Sequence, residues 1–149
     1  MEPGTSSFDE HFQHWLTVRI YYEDTDFTGM VYHANYLRYF ERGRSEHLRA
    51  AGVSHTDLLA RPDPAAFTLT NVSVDYKQAA KVDDLLKIRT RYLGMKGVRI
   101  LFEQTALRGD TIIAEASITA VTIHADGRMR KPIREIAQKL DGFRYAPEI

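Results

Sequence analysis

Hydrophobic and polar residues alternate with a period of two along most of the chain and with a helical period in one long segment. Residues 16–22 alternate apolar with polar positions, as a half-buried strand does. The same alternation returns over residues 68–78, 85–93, 98–107 and 111–124. Between these groups, residues 34–51 place apolar and aromatic side chains on one broad arc at about 100° per residue. The pattern predicts a strand, a long helix and four further strands, followed by a short helix over residues 134–140.

The connections between the later strands are short and rich in glycine. Gly94-Met95-Lys96-Gly97 and Arg108-Gly109-Asp110 have the composition of hairpin turns. Tight turns imply antiparallel pairing, because a parallel pair needs a crossover of about a dozen residues or more. We therefore expect an α+β fold over residues 14–149, with a mostly antiparallel sheet wrapped around one long helix. Residues 1–13 are polar and are expected to form a flexible tail.

Composition limits the class of protein. The 149 residues suit one domain, and contents of 44% hydrophobic and 27% charged residues are ordinary for a globular chain. Lys plus Arg and Asp plus Glu both number 20, so no net charge attracts nucleic acid. The absence of cysteine excludes disulfides, thiolate metal sites and cysteine nucleophiles. No signal peptide or membrane-spanning run is present, so a cytoplasmic location is expected.

Three acidic residues lie between the first predicted strand and the long helix, at Glu23, Asp24 and Asp26. Loops held by rigid elements often carry catalytic or binding groups. One interpretation is a calcium loop, because Asp24-x-Asp26-x-Thr28-Gly29 matches the opening of an EF-hand. The twelfth position of such a loop would be Asn35, where a bidentate Glu is needed, and a strand precedes the loop.

A second interpretation is phosphoryl transfer. A hydrophobic strand followed by Asp-x-Asp-x-Thr resembles the first motif of haloacid-dehalogenase-type phosphatases, with Asp24 as nucleophile and Asp26 as acid. That fold needs a parallel α/β sheet, and residues 66–124 leave no room for crossover helices.

The third interpretation comes from a longer set of positions. They are Tyr22-Glu23-Asp24-Thr25-Asp26, Gly29, Val31-Tyr32-His33, Tyr36 and Phe40-Glu41-x-x-Arg44. Together they resemble the hot-dog-fold acyl-CoA thioesterases of the 4-hydroxybenzoyl-CoA thioesterase type, and more narrowly the branch associated with the bacterial Tol–Pal envelope system. The resemblance covers about residues 16–140. It implies hydrolysis of an acyl-CoA, or of an acyl carrier protein thioester, with no cofactor and no metal ion.

The resemblance also implies roles for particular residues. Asp26 is the catalytic acid, acting as nucleophile or general base, and the backbone N–H of His33 holds the thioester carbonyl oxygen at the helix start. Gly29 and Tyr32 are expected beside the substrate. Basic residues bind the CoA phosphates at a subunit edge, with Lys96 and Arg99 the chosen candidates. The remaining basic positions near the same hairpin and after the last strand are Arg89, Arg91, Arg128, Arg130 and Lys131.

Further expectations concern assembly and the residues around the motif. The resemblance implies a homodimer or homotetramer with pockets between subunits, which would also cover exposed sheet edges. Asp24 is expected to be a local hydrogen-bond partner. Arg44 and Glu41 are expected to pair, and His47 to be a core histidine with satisfied nitrogens. Two other functions remain open: a hot-dog dehydratase acting on acyl carrier protein thioesters, and a non-catalytic scaffold in an envelope complex.

Overall fold

Neighbouring strands pair antiparallel throughout residues 2–148, which are the residues that the computed structural model describes. The strands are β1 (Ser6–Phe8), β2 (His14–Arg19), β3 (Ala65–Tyr76), β4 (Leu85–Lys96), β5 (Arg99–Arg108), β6 (Thr111–His124) and β7 (Met129–Arg130). They form one sheet in the order β1-β2-β4-β5-β6-β3, and β7 also pairs with β6. The helices are α1 (Asn35–Ala50), α2 (His55–Leu59) and α3 (Arg134–Asp141).

Helix α1 lies against the inner face of the sheet at very short range. A Cβ at Gly43 would stand 2.8 Å from Ile88 Cγ2 and 2.9 Å from Thr90 Oγ1, so only glycine lets the helix approach β4 this closely. Beside it, the buried Gln104 amide donates hydrogen bonds of 2.8 Å to the Phe40 carbonyl and to Thr90 Oγ1. A long helix packed on an antiparallel sheet confirms the predicted α+β fold.

The core between α1 and the sheet includes two histidines. His47 is fully buried among aromatic rings, with centroids 4.9 Å from Phe8 and 5.8 Å from Phe102. Neither ring nitrogen of His47 has a hydrogen-bond partner within residues 2–148, so the expectation of a satisfied histidine is wrong. Burial lowers the pKa of His47 to about 3 and that of the neighbouring His14 to about 4. Both rings are therefore neutral at physiological pH.

The N-terminal segment contributes to the sheet, whereas the sequence analysis left residues 1–13 outside the fold. Ser6–Phe8 pair with β2 as an edge strand. The Asp9 carboxylate accepts a hydrogen bond of 2.9 Å from Trp15 Nε1, and the Phe8 ring packs 4.7 Å from the Phe143 ring. A strand of three residues is too short to show a period of two, and the contact between Phe8 and Phe143 joins positions that are distant in sequence, so no local pattern predicted this strand.

Strand β3 forms the other edge of the sheet and is exposed along most of its length. Its residues Leu69, Val72 and Tyr76 are 41%, 38% and 47% exposed. The Tyr76 end of β3 lies beside the start of α1, because Tyr76 Oη donates a 3.0 Å hydrogen bond to the His33 carbonyl. Within residues 2–148, no helix has both the length and the apolar character to cross a lipid bilayer.

Candidate active site

The acidic loop is closed by its own backbone. Asp26 N donates to Met30 O at 2.9 Å, and Thr25 and Val31 form an antiparallel bridge. Gly29 closes the turn with a φ of 80°, a conformation that L side chains rarely adopt. Met30 in turn pairs with Lys81, which precedes β4. The loop is therefore attached to the sheet on one side and leads into α1 on the other.

Asp24 holds this loop against the start of the helix. Its Oδ2 atom accepts a hydrogen bond of 2.8 Å from Tyr21 N. Its carbonyl oxygen accepts from Tyr32 N at 3.0 Å and from Asn35 Nδ2 at 2.7 Å. The side chain of Asp24 thus acts as the local hydrogen-bond partner that the sequence analysis expected.

Asp26 has a different environment. Its Oδ1 atom accepts hydrogen bonds from Thr28 Oγ1 at 2.5 Å and from Thr28 N at 2.8 Å. Within the described residues, Oδ2 has no hydrogen-bond donor. Both hydrogen bonds from Thr28 stabilise the ionised carboxylate and lower the pKa of Asp26 below its ordinary value, and the bond from the hydroxyl group has the larger effect. Asp26 therefore presents an ionised carboxylate with one oxygen free to attack a substrate or to take a proton.

The start of α1 presents backbone donors near this loop. Asn35 N donates to Tyr32 O at 2.9 Å and so fixes the peptide that carries the His33 N–H. The hydrogen bond from Tyr76 Oη to His33 O orients the next peptide, which carries the Ala34 N–H. Neither the His33 N–H nor the Ala34 N–H has an acceptor within residues 2–148. Free N–H groups at a helix start, with the helix dipole behind them, favour a negatively charged oxygen.

The imidazole of His33 packs against rings and has no hydrogen bond in the described part of the chain. Its centroid lies 4.4 Å from that of Tyr32 and 6.2 Å from that of Tyr76. Tyr32 is itself 48% exposed, so both rings border open space beside the helix start. Without a carboxylate partner to orient it, the His33 ring lacks the usual arrangement of a general base.

A cleft of about 310 Å³ opens at the start of α1. Its walls are Val31, His33, Tyr36, Tyr76, Lys77, Gln78 and Ala79. The sequence analysis missed Tyr76 and Lys77, because their proximity to His33 depends on how the end of β3 is placed against α1. Their only signal in the sequence is a position at the end of a long predicted strand.

Lys96 and Arg99 lie far from this cleft within one chain. They flank the β4–β5 turn, where they pair with each other. The acidic loop adjoins the opposite end of β4, and eleven residues of strand separate Leu85 from Lys96, a length of roughly 36 Å. The structure therefore brings Asp26, Gly29, Tyr32 and His33 together, but it does not bring Lys96 or Arg99 to them.

The geometry bears directly on the other two interpretations of the acidic loop. No three His, Asp or Glu side chains in residues 2–148 are grouped so that they could hold a metal ion. The calcium interpretation thus lacks a ligand set. The antiparallel sheet is also incompatible with the parallel fold that the phosphatase interpretation requires.

Comparison with known proteins gives one consistent result. The model of the thioesterase-like superfamily matches residues 20–140. The acyl-CoA thioesterase YbgC of Haemophilus influenzae is 42% identical over 116 residues, which are 78% of this chain and 83% of that protein. The 1,4-dihydroxy-2-naphthoyl-CoA hydrolase of Nostoc punctiforme is 30% identical over 140 residues, covering 92% of this chain and 91% of that protein.

A solved structure agrees with these relatives. The crystal structure of a probable thioesterase from Bartonella henselae superimposes with a TM-score of 0.78 at 36% identity, over 81% of this chain and 99% of that chain. The family model also begins just before the acidic loop and includes both Asp26 and the start of α1. The site and the sheet around it are thus covered by the same match, and the chain belongs to the thioesterase-like superfamily.

Proposed function

We propose that this protein is an acyl-CoA thioester hydrolase in which Asp26 and the helix start at His33 carry the reaction. The observation that supports this is their joint geometry: a carboxylate with one free oxygen and two free N–H groups border the same closed loop. The relatives named as acyl-CoA thioesterases support the substrate class. No step of the proposed reaction needs a cofactor.

The reaction begins with the thioester carbonyl oxygen accepting hydrogen bonds from the His33 and Ala34 N–H groups. As the tetrahedral intermediate forms, charge develops on this oxygen, where donors that are already in place stabilise it. In the general-base route, Asp26 takes a proton from water while the water oxygen bonds to the carbonyl carbon. The C–S bond then breaks, and the proton passes to the CoA thiolate. In the nucleophilic route, an Asp26 oxygen bonds to the carbonyl carbon and the C–S bond breaks, which gives a mixed anhydride and the CoA thiolate. Water then hydrolyses the anhydride, which releases the acid and restores the Asp26 carboxylate, and a proton from the water passes to the thiolate.

Gly29 and Tyr32 fit the binding part of this proposal. A Cβ at Gly29 would meet nothing within 4 Å, so the loop leaves space at this position for a substrate. The exposed Tyr32 ring offers an apolar face beside the His33 N–H. We also propose a cytoplasmic location, which the cysteine-free composition suits.

The decisive experiment replaces Asp26 by Asn. This change keeps the size of the side chain but removes its charge, so we expect the rate of thiol release from acyl-CoA to fall by roughly 10²–10⁴-fold. Substrate binding should persist, because lost turnover with retained binding marks a role in the transition state. The assay uses acyl-CoA esters of graded length, including aromatic ones, and we expect the wild-type rate to be unchanged in EDTA.

Asp24→Asn is the matched control, since Asn can still accept the hydrogen bond from Tyr21 N. The rate of thiol release should fall far less in this variant than in Asp26→Asn. Loss of turnover in Asp24→Asn with a nearly silent Asp26→Asn would contradict the assignment. A dehydratase would leave the thioester intact and release no thiol, and a scaffold would not act on it at all. Free thiol therefore separates the proposed hydrolase from both alternatives.

We further propose that the protein assembles as a homodimer or homotetramer through the exposed edge of β3. Unpaired edge strands are normally covered or carry charge, and β3 instead exposes Leu69, Val72 and Tyr76. Because Lys96 and Arg99 are remote from Asp26 in one chain, they could bind the CoA phosphates of a site only if a second copy supplied them. We propose acyl carrier protein as a second carrier of the acyl group.

Val72→Lys tests this assembly. A charge in the middle of the edge should lower the mass measured by light scattering and reduce thiol release in parallel. Leu59→Lys, a change of an exposed leucine on α2, is the control and should leave both unchanged. A wild-type protein that is monomeric and still hydrolyses acyl-CoA would overturn the proposal.

A further inference from the structure

A cavity lies between α1 and β3. Residues 37, 41, 44 and 48 recur at spacings of three and four, so they share one face of α1. A groove of about 450 Å³ along this face is bordered by Leu37, Arg44 and Leu69. It shares Arg44 and Leu69 with a deeper cavity of about 280 Å³. The groove therefore lies between α1 and β3, which also meet at the helix start, where Tyr76 Oη donates a hydrogen bond to the His33 carbonyl.

The deeper cavity is mainly apolar. Its apolar walls include Leu48, Phe67, Ile100, Phe102, Ala120 and Leu140. The polar groups at its border are Glu41, Arg44, Ser45, His55 and Thr68. An apolar cavity with a few polar groups is the common form of a small-molecule site.

Arg44 is the cation at this border, and its partners leave most of its donors unused. One guanidinium nitrogen, Nη1, donates to Gln104 Oε1 at 3.0 Å. Within residues 2–148, no carboxylate lies within 4.0 Å of Arg44, so the expected ion pair with Glu41 is wrong. The Glu41 carboxylate instead accepts a hydrogen bond of 2.7 Å from Ser45 Oγ. A guanidinium has five N–H donors, and in the described part of the chain Arg44 uses one of them, in its hydrogen bond to Gln104.

Gln104 explains why Arg44 holds this position. Both acceptors of the Gln104 amide nitrogen, Phe40 O and Thr90 Oγ1, are on the core side, so its oxygen faces Arg44. The neutral oxygen orients the guanidinium without neutralising it. Partial burial also lowers the pKa of Arg44, which reflects the cost of keeping this cation away from water.

We propose that the cavity binds the acyl group of the substrate and that Arg44 binds a carboxylate at the far end of that acyl group. The proposal rests on the proposed thioester hydrolysis and names its substrate class. Helix α1 begins at Asn35, just after His33, and Arg44 lies nine residues further on, a distance of about 14 Å along the axis. Arg44 is thus placed to contact the distal end of an extended acyl chain, far from the reacting carbon.

A carboxylate is the ligand that a guanidinium binds best, because two parallel hydrogen bonds can form in one plane. An unsubstituted chain of the same length would leave the donors of Arg44 unpaired beside an apolar surface. The net free energy of a hydrogen bond to a charged group corresponds to an increase in affinity of about 10–100-fold. Glu41 carries the opposing charge, but it is exposed to solvent, so its repulsion is screened.

The test compares two substrates of equal carbon number, an alkanoyl-CoA and the ω-carboxyalkanoyl-CoA, across a series of chain lengths. We expect the kcat/KM of the wild-type enzyme to favour the ω-carboxy substrate by at least about 10-fold at the length that reaches Arg44. At shorter lengths the preference should disappear. A preference for the unsubstituted chain at every length would overturn the proposal.

Variants then assign the preference to Arg44. Arg44→Met removes all its donors and should abolish the preference for the carboxylate. Arg44→Lys keeps the positive charge but loses the planar, two-pronged guanidinium, so it should retain part of the preference for the carboxylate. Arg49→Met, on the same helix but outside the cavity, is the control and should keep the wild-type ratio. If Arg44→Met does not fold, the wild-type series and Arg44→Lys still decide the question.

Two other outcomes are distinct. If no thioester releases CoA, the proposed hydrolase function fails, whereas release from unsubstituted chains alone refutes only the role of Arg44. If Arg44→Met lowers the mass seen by light scattering and leaves the substrate ratio unchanged, Arg44 belongs to a contact between copies. That result would also overturn the proposal.

Discussion

At the scale of single residues, the hydrogen bonds of Asp26 decide which form of its carboxyl group is present. Thr28 donates twice to Oδ1, and these bonds stabilise the charged form. The pKa of Asp26 is therefore lowered from 3.8. A base or nucleophile must be ionised, so activity should persist above that pKa and fall as the pH drops through it.

Thr28→Val tests this effect. The change removes the hydroxyl hydrogen bond, the larger of the two causes, while the backbone bond remains. We expect the pKa of Asp26 to rise, so the acid limb of the kcat/KM profile should move to higher pH. Thr25→Val is the control, because the Thr25 hydroxyl binds the Tyr22 carbonyl and not Asp26. An unchanged acid limb in Thr28→Val, with the fold intact by circular dichroism, would contradict the assignment.

The sequence could place Asp26 and His33 near each other because both belong to one short, continuous motif, and their catalytic roles stay a prediction. It could not predict Tyr76, whose contact with the His33 carbonyl depends on the placement of β3 against α1. It also assigned Arg44 the wrong partner. Glu41 is the neighbour on the helix surface, but Gln104 comes from a strand 60 residues away. Spacing along the sequence predicts contacts within a helix, but it does not predict contacts made across the core by residues far apart in the chain.

At the scale of elements, periodicity was a good guide wherever an element is long. The predicted helix over residues 34–51 corresponds to α1, Asn35–Ala50, and the hairpin strands are displaced by only a few residues. Short elements such as β1 and α2 were not predicted, because three to five residues are too few to show a hydrophobic periodicity. Gly94 was predicted to lie in a turn, whereas it lies in β4 with a φ of 105°, where its backbone passes close to Arg144.

The contact between α1 and the sheet gives a prediction at this scale. In Gly43→Ala, the new Cβ would meet Ile88, Gln104 and Thr90 at 2.8–2.9 Å. Overpacking of this kind costs about 1–3 kcal/mol, although Ala is favoured over Gly in a helix by about 1 kcal/mol. We expect a net loss of free energy of unfolding in urea denaturation. Arg38→Ala, on the exposed side of α1, should have little effect, and a stabilised Gly43→Ala would show that the helix can move away.

At the scale of the whole molecule, two buried histidines link the stability of the fold to pH. His14 and His47 have ring centroids 6.0 Å apart in the aromatic core. Burial lowers the pKa of both, and each ring nitrogen without a partner opposes protonation further. Glu46 acts in the opposite direction on His14, where its charge raises the pKa, but the effect of burial is larger.

The sign of the effect follows from these directions. Below pH 6.5 the unfolded chain protonates both histidines, while the folded protein does not until about pH 4 for His14 and about pH 3 for His47. The unfolded state therefore binds more protons in this window, and the free energy of unfolding falls as the pH decreases. Each histidine contributes about 1.4 kcal/mol per pH unit, so the fold should lose stability steeply in mild acid.

His47→Leu tests the larger shift by replacing the ring with an apolar side chain that cannot be protonated. We expect the loss of unfolding free energy between neutral and mildly acidic pH, measured by urea denaturation, to become about 1.4 kcal/mol per pH unit shallower than in the wild type. At neutral pH the variant should be comparably stable, because the buried nitrogens of His47 make no hydrogen bond within residues 2–148 that the change would remove. Leu59→Gln, an exposed change on the short helix α2 that removes no titratable group, should leave the slope unchanged. An equally steep slope in His47→Leu would show that carboxylates, and not this buried ring, govern the acid sensitivity of the fold.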